Sequence, residues 1–379
     1  MSNFRFLNCN ELRLERGASA QLADICQQRG AQKVFLITDP GVLKAGILEP
    51  ALASFENSPI QLECYSDVVA DPPEAMVESA CEQASAFKAD LIVGFGGGSA
   101  MDTAKLVALI CGSEQSLAEV YGVEQAKGPR LPLILVPTTA GTGSEVTPIA
   151  IVTTGETTKT GVVTPYLLPD IALLDAELTL SLPPAITAAT GIDAMVHAIE
   201  AYTSAHKKNP YSDMLALKAL ELMRGHIEAA ASDQASIEDR EAMLFGACLA
   251  GQAFANAPVA AVHALAYPLG GHYHIPHGLS NSLVLPAVLR FNLPASEAAY
   301  DELATVICRR QDARAEDMIR EIENLIQALP LSKRLREENV PESDLPMLAK
   351  DAMLQQRLLV NNPREVSEAD ALAIYQASY

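Results

Sequence analysis

Short apolar runs alternate with longer segments of mixed polarity in the first half of the chain. Between residues 30 and 175 there are five runs rich in leucine and β-branched residues: KVFLITD, PIQLECYS, ADLIVGFGGG, LPLILVPTT and IALLDAE. Each has about the six residues of a typical strand, and the segments between them have the amphipathic spacing of helices. Apolar strands that alternate with helices are typical of a parallel sheet covered on both faces. The pattern therefore predicts an α/β domain.

From Pro183 onward the pattern is helical. Pro183 and Pro184 suit the first positions of a helix, and long alanine- and leucine-rich segments continue almost to Tyr379 without a convincing strand. A chain of 379 residues exceeds what one hydrophobic core usually serves. We therefore predict two domains, an α/β domain over residues 1–182 and an all-helical domain over residues 183–379.

The balance of charge narrows the choice of partners. The formal net charge is −20, and no lysine- or arginine-rich run offsets it locally. Such a surface repels phosphate backbones and anionic membranes, so we expect neither nucleic acid nor a membrane as a partner. The most apolar region, residues 242–289, is also interrupted by Pro258, Pro268, a glycine pair and four histidines. This interruption argues against a membrane-spanning helix.

The cysteines and the N-terminal segment indicate the compartment. The seven cysteines are scattered along the chain and never spaced as CxxC. This distribution predicts reduced thiols in a cytoplasmic protein, and neither a disulfide scaffold nor a thiolate metal site. The segment MSNFRFLNCNELRLERG mixes charges with apolar residues, so we expect no signal peptide.

Two glycine-rich loops follow predicted strands. In ADLIVGFGGGSAMDTAK, a strand runs through Gly94 and the glycines at 96–98 into a helix that begins near Ser99. In VPTTAGTGSEVT, a second strand enters a loop rich in threonine and glycine. Glycines before a helix N-terminus allow backbone N–H groups to approach a phosphate. The first loop alone also fits a tight strand-to-helix turn, and it lacks the usual GxGxxG spacing. Two such loops at the carboxyl ends of parallel strands favour a nucleotide site.

Asp39, directly after KVFLIT, has two interpretations. It can cap the helix that follows Pro40. It can also accept hydrogen bonds from a ribose diol, in which case its charge would disfavour a 2′-phosphate. The spacing alone does not decide between them.

A set of histidines and one aspartate predicts a metal site. Residues 242–289 contain no Asp, Glu, Lys or Arg, which indicates burial, yet they hold His263, His272, His274 and His277. Buried imidazoles need partners. Asp193 and His197 are four residues apart in GIDAMVHAIE and so share one face of a helix, which fits either two metal ligands or a hydrogen-bonded core pair. The preferred ligand set is Asp193, His197, His263 and His277, with His272 and His274 as second-layer or surface groups.

The charge of this ligand set predicts its chemistry. One carboxylate and three neutral imidazoles around a divalent ion leave a net charge of about +1. Such a centre favours ionisation of an alcohol and polarises a carbonyl. Facing a nicotinamide ring, it would suit hydride transfer between an alcohol and a carbonyl compound.

The order of four separated motifs resembles a known family. GGGSAMDTAK, PTTAGTGSEVT, LPPAITAATGIDAMVHAIEAYTS, and HALAYPLGGHYHIPHG followed by NNPREVSEAD are similar to the group III, iron-containing alcohol dehydrogenases over essentially the full length. The resemblance implies a Rossmann-like, dinucleotide-binding α/β domain joined to an all-α metal-binding domain, the dehydroquinate synthase-like architecture. It also implies an active site in the cleft between the domains and a homodimer or larger homo-oligomer.

By position, the resemblance implies functional residues. The implied metal ligands are Asp193, His197, His263 and His277, the set that spacing and charge also favour. The implied cofactor contacts are Asp39, Asp71, Gly97, Gly98, Ser99, Asp102, Thr138, Thr139, Thr142, Thr147, Lys159 and Leu178. Asp39 implies NAD over NADP. Ile149 and Phe254 would line the substrate pocket, although each also fits ordinary core packing.

Two residues depart from the family pattern. Many members have a second histidine in the motif HxxxH near the nicotinamide, where HALAY places Tyr267. A phenol can relay a proton, but its ordinary pKa of about 10 makes it a poorer base than imidazole at neutral pH. Asp71 stands in DPP, where the family often has Asn. It keeps a hydrogen-bond acceptor and loses a donor.

These observations predict an NAD-dependent dehydrogenase of a small alcohol or aldehyde. Ligand type allows Fe(II) or Zn(II), and the family precedent favours iron. One alternative keeps the fold and is a hydroxyacid–oxoacid transhydrogenase or a reductase of a carboxylated substrate; the uncharged stretch offers no cation for such a substrate. Another is a non-catalytic metal- or nucleotide-binding protein that has lost proton transfer through Tyr267.

Overall fold

The computed structural model describes residues 3–113, 115–155 and 158–379. The chain divides into two compact units. One comprises Leu7–Ser181, and the other comprises Leu182–Tyr379 together with residues 3–6.

The first unit is built around a parallel sheet. Its strands are β1 Glu11–Leu14, β2 Lys33–Ile37, β3 Gln61–Tyr65, β4 Leu91–Gly96, β5 Gly122–Val123, β6 Leu133–Pro137, β7 Ile149–Thr154, β8 Thr158–Val163 and β9 Ile171–Leu174. Six of them form the main sheet in the order β1-β9-β6-β4-β2-β3, with every pairing parallel. All five apolar runs lie in this sheet, and the α/β prediction is confirmed.

Alternate residues of the central strands face two separate cores. Val34 and Leu36 of β2 lie in one core, whereas Phe35 and Ile37 lie in the other. Since successive side chains of a strand point to opposite faces, both faces of this strand are buried. This arrangement explains why the runs are apolar throughout and do not alternate with polar residues.

Helices cover the sheet. They are α1 Leu22–Gln28, α2 Pro40–Lys44, α3 Glu49–Phe55, α4 Glu74–Phe87, α5 Gly98–Gly112 and α6 Leu117–Val120. Side chains of α4 and α5 contribute to one core, and side chains of α1 and α3 contribute to the other. The edge strand β1 and the small sheet of β5, β8 and β7 were not predicted from the sequence.

The second unit is helical. Its helices are α7 Pro184–Thr203, α8 Pro210–Ala230, α9 Ile237–Asn256, α10 Ala261–Tyr273, α11 His277–Ile307, α12 Ala315–Ala328, α13 Leu345–Ala352, α14 Gln356–Leu359 and α15 Glu368–Ser378. Helix α7 packs against α8, α9 and α11, and nearly all of its residues after the first turn are buried. The expectation of a helical second half is confirmed. Pro184 is the first residue of α7, as its fixed φ favours.

Taken singly, none of the helices in the described residues has the length and apolar character needed to cross a membrane. Helices α9 and α10 pass that test only as a pair, which is bent by 105°.

Candidate active site

The first glycine-rich loop lies at the carboxyl end of a central strand. Gly97 is the N-cap of α5, which follows β4 directly. Because β4 pairs with β6 in parallel, with Gly96 opposite Pro137, the loops after these two strands lie side by side. A Cβ at Gly98 would lie 2.9 Å from Thr142 Cγ2, so glycine allows the two loops to touch. The start of α5 therefore presents backbone N–H groups beside a threonine-rich loop, an arrangement suited to a phosphate.

Asp39 both caps a helix and lies next to this loop. Its Oδ1 accepts a hydrogen bond of 3.0 Å from the backbone N–H of Val42 in the first turn of α2. A Cβ on Gly96 would lie 3.2 Å from Asp39 Oδ2. Strands β2 and β4 are neighbours although β3 intervenes in the chain, so this is the point at which the strand order reverses. Open α/β sheets bind ligands at such a point. The capping role is confirmed, and the second carboxylate oxygen lies next to the glycine-rich loop after β4.

A buried lysine, which was not identified from the sequence, connects α5 to the second loop. Lys105 of α5 is fully buried and donates hydrogen bonds to Ser144 Oγ at 2.8 Å, to Thr147 Oγ1 at 3.2 Å and to the carbonyl of Ile149 at 2.7 Å. Burial lowers the pKa of this amine. Asp102 lies 3.4 Å from the same amine and accepts a hydrogen bond of 2.6 Å from Ser144 Oγ. Lys105 and Asp102 thus hold Ser144 of the second loop against α5.

The other cofactor contacts implied by the resemblance lie at different places in this unit. Asp71, which has a positive φ of 55°, forms an ion pair with Lys159 of β8. Thr138 and Thr139 directly follow β6, and Ser99 lies in the first turn of α5. Leu178 is buried in one of the two sheet cores.

The predicted metal ligands come from three helices of the second unit. Asp193 lies in α7, His263 in α10 and His277 at the first position of α11. Their ligand atoms all lie within 4.8 Å of one another. Asp193 Oδ1 is 3.7 Å from His263 Nε2 and 3.6 Å from His277 Nε2. Asp193 and His263 are buried, whereas the His277 side chain is 43% exposed, so the cluster has one open side.

His197 lies beside this cluster, one turn after Asp193. Its Nε2 is 3.9 Å from Asp193 Oδ1, but it is not among the three residues whose ligand atoms lie mutually closest. The imidazole stacks between two rings, with centroids 4.2 Å from Phe254 and 4.7 Å from His263. Phe254, an implied pocket residue, therefore contacts a candidate ligand directly. The other implied pocket residue, Ile149, lies in the α/β unit.

Two polar side chains of the cluster were missed in the sequence. Asn281 of α11 is fully buried and donates a hydrogen bond of 2.6 Å from Nδ2 to Asp193 Oδ1. The same nitrogen is 3.3 Å from His263 Nε2 and from His277 Nε2. Glu200 of α7 is buried, and its Oε2 lies 2.7 Å from His263 Nδ1. The helical spacing in the sequence could have indicated both residues. Asn281 follows His277 by four residues, and Glu200 lies on the same helical face as Asp193 and His197.

The environment shifts the pKa values of two of these groups. Burial opposes ionisation of Asp193, but the three neighbouring imidazoles and the Asn281 amide outweigh it, so the pKa is lowered. Burial disfavours the charged form of His263, but Glu200 and Asp193 more than compensate, and its pKa is raised. The cluster therefore retains a carboxylate anion inside an apolar helical core.

A glycine allows α11 to approach α7 at this point. A Cβ on Gly278 would overlap the carbonyl of Ala189 and would lie 3.3 Å from Asp193 Cβ. His277 directly precedes this contact, so the glycine in PHG sets how closely the imidazole approaches the carboxylate.

The remaining histidines of this region lie apart from the cluster. His272 is half-exposed and forms a 2.6 Å hydrogen bond with Asp351, and His274 has a positive φ of 55° at the end of α10. Tyr267, one turn after His263 in α10, places its ring centroid 5.9 Å from that of His277. The phenol is therefore near the exposed ligand candidate.

The cluster fits a divalent metal ion. The separations of 3.6, 3.7 and 3.9 Å between Asp193 Oδ1 and the three imidazole nitrogens are too long for hydrogen bonds. They are close to the spacing of two ligands that each lie about 2.1 Å from one ion. His263 Nδ1 donates to the Glu200 carboxylate, so in the neutral ring Nε2 carries a lone pair that faces the cluster. Imidazole and carboxylate ligands suit Fe(II) and Zn(II).

Both halves of the chain match models of known protein families. The family model described as iron-containing alcohol dehydrogenase matches residues 9–176. The model described as Fe-containing alcohol dehydrogenase family, C-terminal, matches residues 187–379. The two matches fall on the α/β part and on the helical part.

Individual proteins resemble the chain over its whole length. A long-chain-alcohol dehydrogenase of Geobacillus thermodenitrificans is 40% identical over 371 residues, which are 96% of this chain and 93% of that protein. The crystal structure of a 1,3-propanediol oxidoreductase has a TM-score of 0.95 and 32% identity, with full coverage of both chains. A sulfoacetaldehyde reductase from Bifidobacterium kashiwanohense, solved in complex with NAD+, has a TM-score of 0.90 and 28% identity and covers 100% of this chain and 99% of its own.

Proposed function

The chain belongs to the iron-containing alcohol dehydrogenase family, and we propose that it is an iron- and NAD-dependent dehydrogenase that transfers a hydride between NAD and a small alcohol or its carbonyl product. The observation that carries this proposal is the convergence of Asp193, His263 and His277 from three helices. His197 completes the proposed ligand set from the adjacent turn of α7.

The side chains of the cluster define how a substrate would be held. A divalent ion held by this cluster would supply polarisation of the substrate oxygen, and NAD would supply the carbon that accepts or returns the hydride. Asp193 contributes the negative charge of the ligand set, and the Asn281 amide holds that carboxylate in place. The open side at His277 leaves room for a small substrate. Phe254, stacked on His197, would form an apolar wall of the pocket.

For the cofactor we propose NAD, bound at the carboxyl end of the parallel sheet. The backbone at Gly97, Gly98 and Ser99 would bind the diphosphate at the N-terminus of α5. Asp39 would accept hydrogen bonds from the ribose diol, and its negative charge would repel a 2′-phosphate. The second glycine-rich loop, with Thr138, Thr139, Thr142 and Thr147, and the ion pair of Asp71 with Lys159 would complete the site.

For the metal we propose iron. Affinity alone would favour zinc in a site of imidazoles and a carboxylate. A substrate oxygen added to four protein ligands gives five-coordination, which a closed tetrahedral zinc site resists. Metal analysis of protein purified without oxygen, together with activity after loading with Fe(II) or Zn(II), distinguishes the two ions.

The decisive experiment compares two histidines. His263→Ala is expected to lose bound metal and NAD reduction with a panel of primary and secondary alcohols, whereas His272→Ala, at the half-exposed partner of Asp351, is expected to keep both. An undiminished metal content in His263→Ala would refute the ligand assignment. Tight metal binding without turnover of any alcohol would support a non-catalytic binding protein. Turnover that needs no added NAD would support a transhydrogenase.

Tyr267 is proposed to pass the substrate proton onward from its phenolic oxygen, given its position next to His277. Tyr267→Phe is expected to lower kcat by about 10²-fold, the usual contribution of a positioned proton donor or acceptor. Tyr267→His is expected to restore it at neutral pH, because imidazole titrates there. Equal kcat in wild type and Tyr267→Phe would exclude this role.

We also propose that the protein is a cytoplasmic homo-oligomer. All seven cysteines are free thiols, as suits a reducing compartment. Light scattering coupled to size-exclusion chromatography tests the oligomeric state.

A further inference from the structure

We propose that Glu200 is a positioning residue that fixes the tautomer of His263 and, through it, the affinity of the site for metal. This inference rests on the proposed metal function. It concerns a side chain that lies outside the proposed ligand set.

Both carboxylate oxygens of Glu200 are occupied by donors from α10. Oε2 accepts hydrogen bonds from the backbone N–H of Ala260 at 2.9 Å and from His263 Nδ1 at 2.7 Å. Oε1 accepts a hydrogen bond of 2.7 Å from the backbone N–H of Val262. Three donors thus converge on one buried anion.

The residue at the N-cap of α10, the helix that carries His263, provides no capping side chain. This residue is Ala260, with φ −138° and ψ −129° and no side-chain hydrogen bond to the first turn. Short polar side chains normally satisfy the first N–H groups of a helix. Here Glu200 of α7 does so from outside α10. Its carboxylate therefore fixes both the start of α10 and the ring that lies one turn inside it.

The geometry also determines which nitrogen of His263 carries the proton. A carboxylate is an acceptor only, so the Nδ1 atom at 2.7 Å must be protonated. In the neutral ring, the Nε2 atom, which lies 3.7 Å from Asp193 Oδ1, then carries the lone pair. A metal ion requires that lone pair, and an outer carboxylate that orients a ligating imidazole typically changes metal affinity by about 10- to 100-fold.

Replacement by glutamine separates these roles. The amide offers one acceptor and one donor, so it cannot accept hydrogen bonds on both sides. If its oxygen remains beside Val262, its NH₂ group faces His263 Nδ1 and forces the proton to Nε2. If its oxygen faces His263, the NH₂ group opposes the N–H of Val262. The first orientation places the proton on Nε2, so that this atom cannot bind a metal ion. The second removes a hydrogen bond at the start of α10.

The test measures Co(II) binding to metal-free protein by visible absorption and competition with a chelator. Glu200→Gln is expected to bind Co(II) about 10- to 100-fold more weakly than wild type, and Glu200→Asp is expected to recover part of the loss. The matched control is Asp175→Asn in the α/β unit. Asp175 is buried and accepts hydrogen bonds from the backbone N–H groups of Gly17, Ser19 and Glu177 and from the Ser19 hydroxyl, none of which belongs to a histidine. Asp175→Asn is expected to lower the melting temperature without changing Co(II) affinity.

A second measurement needs no variant. Selective ¹⁵N labelling of histidine reports the tautomer in metal-free wild-type protein, and His263 is expected to be protonated at Nδ1. Protonation at Nε2 alone, with Nδ1 unprotonated, would overturn the proposal, as would unchanged Co(II) affinity in a Glu200→Gln variant whose melting temperature falls like that of Asp175→Asn. If the wild-type protein binds Co(II) but turns over no alcohol, the proposed function is refuted, whereas the role of Glu200 in metal binding is not.

Discussion

Asn281 of α11 donates a 2.6 Å hydrogen bond to Asp193 of α7, and its nitrogen is equidistant, at 3.3 Å, from two imidazoles of the cluster. One amide therefore orients the only carboxylate of the proposed ligand set. A carboxylate that must carry a charge inside a helical core requires such a donor.

Asn281→Leu is expected to weaken metal binding by about tenfold, since the variant keeps a similar volume and loses the donor to Asp193. Metal affinity measured by chelator competition tests this. The control is Asn292→Leu, farther along the same helix, where a buried asparagine forms hydrogen bonds with Asn362 at 3.0 and 2.7 Å. The control is expected to lose stability and to keep its metal affinity. An equal loss of affinity in the two variants would contradict a specific role for Asn281.

Asp39→Gly is expected to reduce the preference for NAD over NADP by on the order of tenfold, or about 1.4 kcal/mol. Loss of the carboxylate removes repulsion of a 2′-phosphate. The ratio of kcat/KM for the two cofactors measures the effect. Asp39→Asn serves as the control for capping, because it retains an acceptor for the N–H of Val42 and loses only the charge. If Asp39→Asn leaves the ratio unchanged while Asp39→Gly alters it, charge repulsion is not the cause.

Gly278→Ala is expected to cost about 1–3 kcal/mol of unfolding free energy, because the new methyl group overlaps the carbonyl of Ala189. The metal affinity of this variant is also expected to fall, because α11 must move away from Asp193. The matched control is Gly225→Ala in α8, where a Cβ meets nothing within 4 Å. That substitution is expected to be neutral or to stabilise the helix by up to about 1 kcal/mol. Chemical unfolding of the metal-free proteins compares the two, and similar values for both variants would refute the packing argument.

The raised pKa of Glu145 predicts that the stability of the α/β unit depends on pH. Burial raises the pKa of this carboxyl from 4.5 to about 7. In the unfolded chain this carboxyl loses its proton near pH 4.5, whereas in the folded chain it keeps the proton up to about pH 7. Between these values the folded state binds more protons than the unfolded state, so the free energy of unfolding falls as the pH rises. The loss is at most about 3 kcal/mol, at 1.36 kcal/mol per pKa unit.

Glu145→Gln is therefore expected to be more stable than wild type above pH 7 and to show no such advantage below pH 4.5. Urea unfolding across this range measures it. The control is Glu119→Gln: Glu119 accepts hydrogen bonds from Ser116, which hold its pKa below 4.5, so its removal is expected to destabilise at neutral pH. A constant difference between Glu145→Gln and wild type at every pH would rule out titration of Glu145 as the cause.

Local patterns were enough to predict the fold of each part. The five apolar runs specify the strands because both faces of this sheet are buried, and Pro183 and Pro184 mark the start of the helical part. The short strand β1 and the small sheet of β5, β7 and β8 have weaker patterns and were not predicted.

The sequence by itself determined which side chains share a helical face: Asp193 with His197, because four residues make about one turn. It did not determine that α10 and α11 bring His263 and His277 within 3.7 Å of Asp193, that Gly278 permits this approach, or that Glu200 and Asn281 complete the arrangement. Helical periodicity acts over a few residues, whereas contacts between residues separated by 60 or more positions depend on how whole helices pack. Only the tertiary structure decided which of the histidines face the same carboxylate.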